Sequence, residues 1–286
     1  MEDTIYIQLL DIYKPVTDAD IQTGKNYVLR RESAARGLSS LVDSLLKDAA
    51  EQITRLCYVY NIDPKGFSIS YKYNEKLFGQ IGAILDQLED EIFDLMLEYA
   101  MKCTESEKRR HLLLPWILAL GRNNRTLRTI LQNRLWMFSR DLEAMIATAK
   151  MAEFNQSKAI SIIKSNLHTV YQMPGMAAAF ANSHLFQATY IRSKGVKHGN
   201  VGNSNSEANN IGRYVRMTVQ KAWMRNQYYN YQEKGTAGYY VLRGSNYPCS
   251  LCESFVGFHP IEDFESMPPF HGNCCCYTVP TFNIND

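Results

Sequence analysis

Apolar residues recur every three or four positions through most of the first 230 residues, which is the period of amphipathic helices. Leu38, Leu41, Val42, Leu45, Leu46, Ala49, Ile53 and Leu56 mark a helix expected over residues 28–60. Leu77, Ile81, Ile84, Leu85, Leu88, Ile92, Leu95 and Tyr99 mark a second over 74–102. Its opposite face carries Asp86, Glu89, Asp90, Asp94 and Glu98. Thr104-x-x-Glu107 has the form of a capping box and predicts that a helix restarts there. Pro115 is expected to bend or break it. Further helices are expected over 125–152, from an Asn155 cap to 168, and from the Met173-Pro174-Gly175 break to about 193. A last helix over 207–233 places Ile211, Tyr214, Val215, Thr218, Val219 and Ala222 on one side. Residues 1–26 read as loosely ordered around Pro15 and Gly24, and Asp63-Pro64-Lys65-Gly66 as a turn.

The period changes after residue 233. Gly235 and Gly238 end the helix. Tyr239-Tyr240-Val241-Leu242-Arg243 and Tyr277-Thr278-Val279-Pro280-Thr281-Phe282 favour strands. Residues 195–206 are rich in glycine, asparagine and serine and predict a flexible loop. The expected fold is therefore mainly α. A long-helix N-terminal body covers 1–194, a loop 195–206, and a small α+β module 207–286.

Composition adds bounds rather than an identity. The 286 residues are 45% hydrophobic and 21% charged, enough to bury a core. A net charge of +2 is too mild to argue nucleic-acid binding by itself. Met1-Glu2-Asp3-Thr4 is acidic and unlike a secretory leader. The longest apolar run, Leu112 to Leu120, falls far short of the ~20 residues of a membrane helix and contains Pro115. The expectation is a soluble protein of a reducing cytoplasm, where clustered cysteines serve metals more often than disulfides. Cys57 and Cys103 stand alone in helical contexts and read as buried structural thiols.

Five of the seven cysteines fall in the last forty residues, as Cys249-x2-Cys252-x18-His271-x2-Cys274-Cys275-Cys276. Two Cys at C-x2-C can hold one metal from a tight knuckle, and a second pair from the His271–Cys276 segment completes a tetrahedron suited to zinc. Cys274 and Cys276 are two apart and share a face of an extended segment, whereas Cys275 points away. Cys249, Cys252, His271, Cys274 and Cys276 are thus five candidates for four positions, and spacing does not choose among the last three. A closed site of this kind is structural and stabilises a module too small to hold together alone. His259 reads as an ordinary loop histidine.

Catalytic readings fare worse. Pro248-Cys249-Ser250-Leu251-Cys252 has the P-C-x-x-C form of zinc nucleobase deaminases, which also need an upstream His-x-Glu. The residues two beyond His111, His168, His184 and His198 are Leu113, Val170, Phe186 and Asn200, none of them an acid. A zinc-dependent nuclease or toxin effector is the alternative, and it needs His271 free to activate water. No catalytic residue is assigned.

The Cys249-x2-Cys252 knuckle, Gly257, and Pro268-Pro269-Phe270-His271-Gly272-Asn273-Cys274-Cys275-Cys276 together resemble the C-terminal signature of the Mu F-like phage minor head proteins, or head morphogenesis proteins. The preceding helix, with Arg216, Thr218 and Trp223, sits where that family has its own Arg/Thr-bearing helix. Gly272 stands where the family has Pro, and Cys275 where it has Arg; neither change removes a ligand. The resemblance covers residues 210–282. It implies a virion component present in few copies, assembled in the host cytoplasm and bound near the portal. Its partners would be the portal protein and other head proteins, with no membrane, and its zinc would be structural. Some members carry toxin or ADP-ribosylating extensions; none is expected here, since Asp286 follows soon after the signature.

Two basic clusters, Lys108-Arg109-Arg110-His111 and Arg122-Asn123-Asn124-Arg125-x2-Arg128, read as solvated helix ends, or more sharply as contacts to packaged DNA, which would be salt-sensitive, or to an acidic portal surface. Arg213, Arg216, Lys221 and Arg225 do not align into one stripe. Tyr228, Tyr229, Tyr231, Tyr239 and Tyr240 suit either an interface or packing of the small module onto helices.

Overall fold

Thr17 and Asp20 cap the first helix reciprocally. The Asp20 backbone N–H donates to Thr17 Oγ1 at 3.2 Å, and the Thr17 N–H donates to Asp20 Oδ2 at 3.0 Å. In this computed structural model, which describes residues 13–63, 74–120, 125–176 and 206–283, that cap opens a 42-residue helix. The chain from 18 to 26, expected to be loose, is its first turns. Six more helices follow among the described residues. The helices are α1 (Asp18–Val59), α2 (Glu75–Met101), α3 (Glu107–Leu118), α4 (Leu127–Met151), α5 (Gln156–Asn166), α6 (Glu207–Glu233) and the one-turn α7 (Ser250–Glu253). The chain is mainly α, with one small antiparallel sheet at its C-terminal end.

The apolar periods land where they were expected. Leu38, Val42, Leu46, Ala49 and Ile53 of α1 are buried, as are Leu77, Ile81, Leu85, Leu88 and Ile92 of α2. Leu41 is the exception and faces solvent. Asn155 caps α5 by accepting from the Lys158 N–H at 2.9 Å. The expected cap on α3 shifts by two residues. Ser106, not Thr104, accepts from the Arg109 N–H, while Thr104 Oγ1 accepts from the Ser106 N–H. Pro115 does not break α3; it lies within its closing turns. The helix expected up to residue 193 and the 195–206 stretch lie outside the described residues, except for Ser206.

Contacts divide the chain into two compact units, neither continuous in sequence. One comprises residues 38–96 and 118–215, and its described elements are all helices. The other comprises 1–37, 97–117 and 216–286 and is mixed. Helices α1, α2, α3 and α6 each contribute residues to both.

The sheet of the mixed unit has three strands, β1 (Gly238–Leu242), β2 (Gly257–Pro260) and β3 (Tyr277–Thr281), in the order β2-β1-β3. Only β1 and β3 were expected. Strand β2 is four residues long and begins at Gly257, whose φ of +130° suits only glycine. In the register Tyr239 lies between His259 and Pro280. Gly238 is required here for space: a Cβ would lie 2.5 Å from the Phe258 ring and 2.7 Å from the His259 carbonyl oxygen. Beside this sheet the Lys14 N–H donates to the Phe282 carbonyl at 2.8 Å.

Candidate metal centre

The first ligand segment is built by a turn of helix. Cys249 precedes α7 and its carbonyl accepts from the Glu253 N–H at 3.0 Å, so Cys252 sits one turn from Cys249. Arg243 binds Glu253 and the Tyr247 carbonyl, which ties this knuckle to the end of β1. The second segment leaves the 3-10 turn at Phe264–Ser266, passes the cis Pro268–Pro269 bond, and turns at His271. There the Cys274 N–H donates to the His271 carbonyl at 2.9 Å. Phe255 and Phe270 stack at 4.3 Å and hold the two segments together. Gly244 passes so close to Cys275 that a Cβ would fall 1.9 Å from its carbonyl oxygen.

These segments converge on one cluster. His271 Nε2 lies 3.4 Å from Cys249 Sγ and 3.1 Å from Cys252 Sγ, and Cys252 Sγ lies 3.9 Å from Cys274 Sγ. Two overlapping triads result, Cys249–Cys252–His271 and Cys252–Cys274–Cys276, each with all donor atoms within 4.8 Å of one another. A tetrahedral zinc with the usual bond lengths places its sulfurs about 3.8 Å apart and a sulfur and a nitrogen about 3.6 Å apart. The donor spacing fits such an ion. All five predicted ligands are brought together, and Cys252 alone belongs to both triads.

Cys274 and Cys276 share the buried face, as their spacing predicted. Cys275 points elsewhere, with its Sγ toward the Asn273 carbonyl. All seven cysteines are free thiols. Burial pushes Cys57 and Cys103 up to about 12, which makes both inert core residues. Within the cluster, a hydrogen bond from Cys276 outweighs burial and lowers Cys274 to about 5. Burial raises Cys252 to about 12. The backbone N–H of Cys252 lowers Cys249. A bound cation would override these differences by deprotonating every thiol it touches.

His271 is engaged at both ring nitrogens. Nε2 faces the thiols, and the Asn273 N–H points at Nδ1 over 3.3 Å. A metal held at Nε2 leaves the ring proton on Nδ1, so this long contact would be given up. His259 is likewise engaged, by Asp263 at 3.1 Å and the Phe255 carbonyl at 2.9 Å, while stacking on Tyr239. Among the described residues no other His, Cys, Asp or Glu group has metal-binding spacing.

Sequence reasoning missed the supports of this site, which come from distant helices. Arg31 of α1 is buried and donates from Nη2 to the carbonyls of Cys274, at 3.0 Å, and Cys276, at 3.3 Å. Its neighbour Glu32 accepts from Arg31 Nε, Arg216 Nη2 and Gln220 Nε2. Arg216 Nη1 also reaches Asn273 Oδ1. The only signal was an Arg-Glu pair on the face of α1 that carries Val28 and Ala35.

The basic clusters are partly structural. Arg109 is buried, bonded to the Asn226 carbonyl and Glu233. Arg128 pairs with Glu89 and Asp90 over the Phe93 ring. Arg225 sits among Trp116, Tyr228, Tyr229 and Phe264 at 4.5–5.5 Å. Arg122, Asn123 and Asn124 lie outside the described residues. Tyr231 and Tyr239 belong to the core of the mixed unit with Val241, Cys252, Cys274 and Cys276.

No protein-family model, curated protein or solved structure matches this chain. No helix among the described residues is long and apolar enough to cross a membrane.

Proposed function

We propose that the protein is a minor head protein of a bacteriophage, bound near the portal in few copies during head assembly. In this reading its Cys/His cluster holds a structural zinc ion. The observation that carries the metal is the donor spacing of 3.1–3.9 Å between segments nineteen or more residues apart. What supports the phage assignment is the residue string from Cys249 to Cys276 and its resemblance to the Mu F-like signature.

Zinc is favoured by the donor set, since any four of these four thiols and one imidazole suit a closed tetrahedral site. When bound, the ion would supply only cross-linking. Cys249 and Cys252 would fix the knuckle after β1, and two of His271, Cys274 and Cys276 the approach to β3. A stapling role is also supported by His271 facing two thiols rather than an open cavity, with no carboxylate in the cluster. Portal and head proteins are the partners on this reading. The exposed Lys108, Arg110 and His111 leave room for weak, sequence-independent contact with packaged DNA.

Two measurements test it. Purified protein should carry about one equivalent of zinc, and less than half would sink the metal assignment. Mass spectrometry of heads from the phage that encodes the chain should find it at a few copies per portal; its absence from heads would sink the assembly role. Metal-dependent cleavage of DNA or RNA, abolished by His271→Ala in a folded protein, would replace both with a nuclease.

A further inference from the structure

The polar network behind the cluster carries an unbalanced charge. Arg31 and Arg216 contribute two formal positive charges, and Glu32 is the one carboxylate paired with either among the described residues. The Arg31 side chain is 2% exposed and that of Glu32 8%. Gln220, fully buried, adds a neutral donor to Glu32. Arg216 is 18% exposed, so the excess positive charge lies at the edge of the buried Arg31–Glu32 pair, where a nearby anion stabilises it. Arg31 is aimed at the carbonyls of Cys274 and Cys276, two of the candidate ligands. Zinc with three thiolates and an imidazole carries one net negative charge, and zinc with four thiolates carries two.

We infer that Arg31, supported by Glu32 and Arg216, is a positioning residue for an anionic metal–thiolate centre: it orients the Cys274–Cys276 backbone and balances the charge of the loaded site. The inference rests on the metal reading above and extends it to a residue more than two hundred positions from the ligands. The N-terminal helix is then part of the metal site rather than a neighbour of it. It also follows that loading the metal stabilises the seat of α1 through Arg31.

A merely structural Arg31 would support the fold equally with and without metal. A positioning Arg31 acts more strongly on the loaded state. The discriminating experiment measures Zn2+ and Co2+ affinity of the full chain by competition with a chromophoric chelator, for wild type, Arg31→Met, Arg31→Lys and Arg109→Met. Arg109 is an equally buried guanidinium of the same unit whose carbonyl partner belongs to Asn226, away from the thiols. Arg31→Met is expected to bind metal 10- to 100-fold more weakly, in the range typical of lost outer-shell partners. Arg31→Lys, which keeps the charge but not the fork, should lie between it and wild type. Arg109→Met should stay within about twofold of wild type, a prediction that follows because its contacts do not reach the ligands. Thermal melts should show a smaller loss of stability for Arg31→Met in the chelated protein than in the loaded one. Unchanged affinity in Arg31→Met, or equal losses of stability with and without metal, would overturn the inference. Failure of wild type to bind either ion would instead sink the metal reading itself.

Discussion

The two units of this chain are held together by different physics. The helical unit is built mainly from stripes of Leu, Ile, Val and Ala along α1, α2, α4 and α5, with a smaller buried polar set in which Asp141 accepts from the Glu207 N–H and Glu207 from Asn210. The mixed unit is small in apolar content and dense in buried polar groups. Arg31, Glu32, Arg109, Gln220, Asn226, Thr278 and five metal-grade donors lie inside it or against its core. Hydrophobic burial is non-directional and tolerates variation. A buried polar network works only when every partner is present. The contrast teaches where each unit should fail, and what each failure should cost.

The largest effect should come from the metal cluster. Structural zinc contributes on the order of 10 kcal/mol of apparent binding free energy in small modules. Chelation should therefore abolish slow amide exchange across β1, β2 and β3 while most of the far-UV helical signal persists. Cys252→Ser should reproduce this effect most fully, because Cys252 alone belongs to both triads. Cys275→Ser should leave metal content unchanged. Equal loss of exchange protection in both units on chelation would break the contrast, because it would make the metal global rather than local.

A cavity in the helical unit should act in the opposite way. Ile92 of α2 is fully buried. Ile92→Ala should cost about 2–5 kcal/mol, the usual range for removing a buried branched side chain. Urea melts of the metal-loaded protein would show it, and zinc content should not change. If this variant instead released zinc, the two units would not be separable in their energetics.

What could be read in advance follows the same division. Helix α6 was expected over 207–233 and spans those residues, because its one-sided apolar row from Ile211 to Ala222 packs as a stripe. The five ligands were legible because metal chemistry restricts residue type and spacing together. Strand β2 was not legible, since Gly257-Phe258-His259-Pro260 is too short and too mixed to show a period. Its pairing with β1 is fixed instead by the space left at Gly238 and the His259–Asp263 contact. Arg31 was not legible either. A charged residue on a helix is ordinarily a solvated one, and only tertiary structure places it against the backbone of Cys274, 243 residues later. The α1 start was available in Thr17-Asp18-Ala19-Asp20, a capping pattern set behind Pro15, and α3 began at Ser106 rather than Thr104 because the nearer hydroxyl reached the free N–H of Arg109.

The smallest effect sharpens the comparison from its other side, at a polar contact of the helical unit that is peripheral. Asp43 of α1 bonds Lys47 at 2.7 Å and His168 at 2.6 Å, and these side chains are 28–43% exposed. Burial alone would raise the Asp43 carboxyl, but the hydrogen bonds from Lys47 and His168 outweigh it and hold the group below its ordinary range. A carboxylate lowered in the folded state adds stability above its unfolded pKa and loses it as pH falls through the folded value. For a half-exposed pair the amount is about 0–1 kcal/mol. Asp43→Asn should therefore be slightly less stable than wild type at pH 7, and the gap should close as pH falls below the ordinary aspartate value of about 3.9 and through the lowered folded one. Chemical melts at pH 7 and in acid would measure it. A gap of several kcal/mol, or one that widened in acid, would mean that a polar contact anchors the helical unit as Arg31 anchors the mixed one, and the division between the two would fail at its most exposed point.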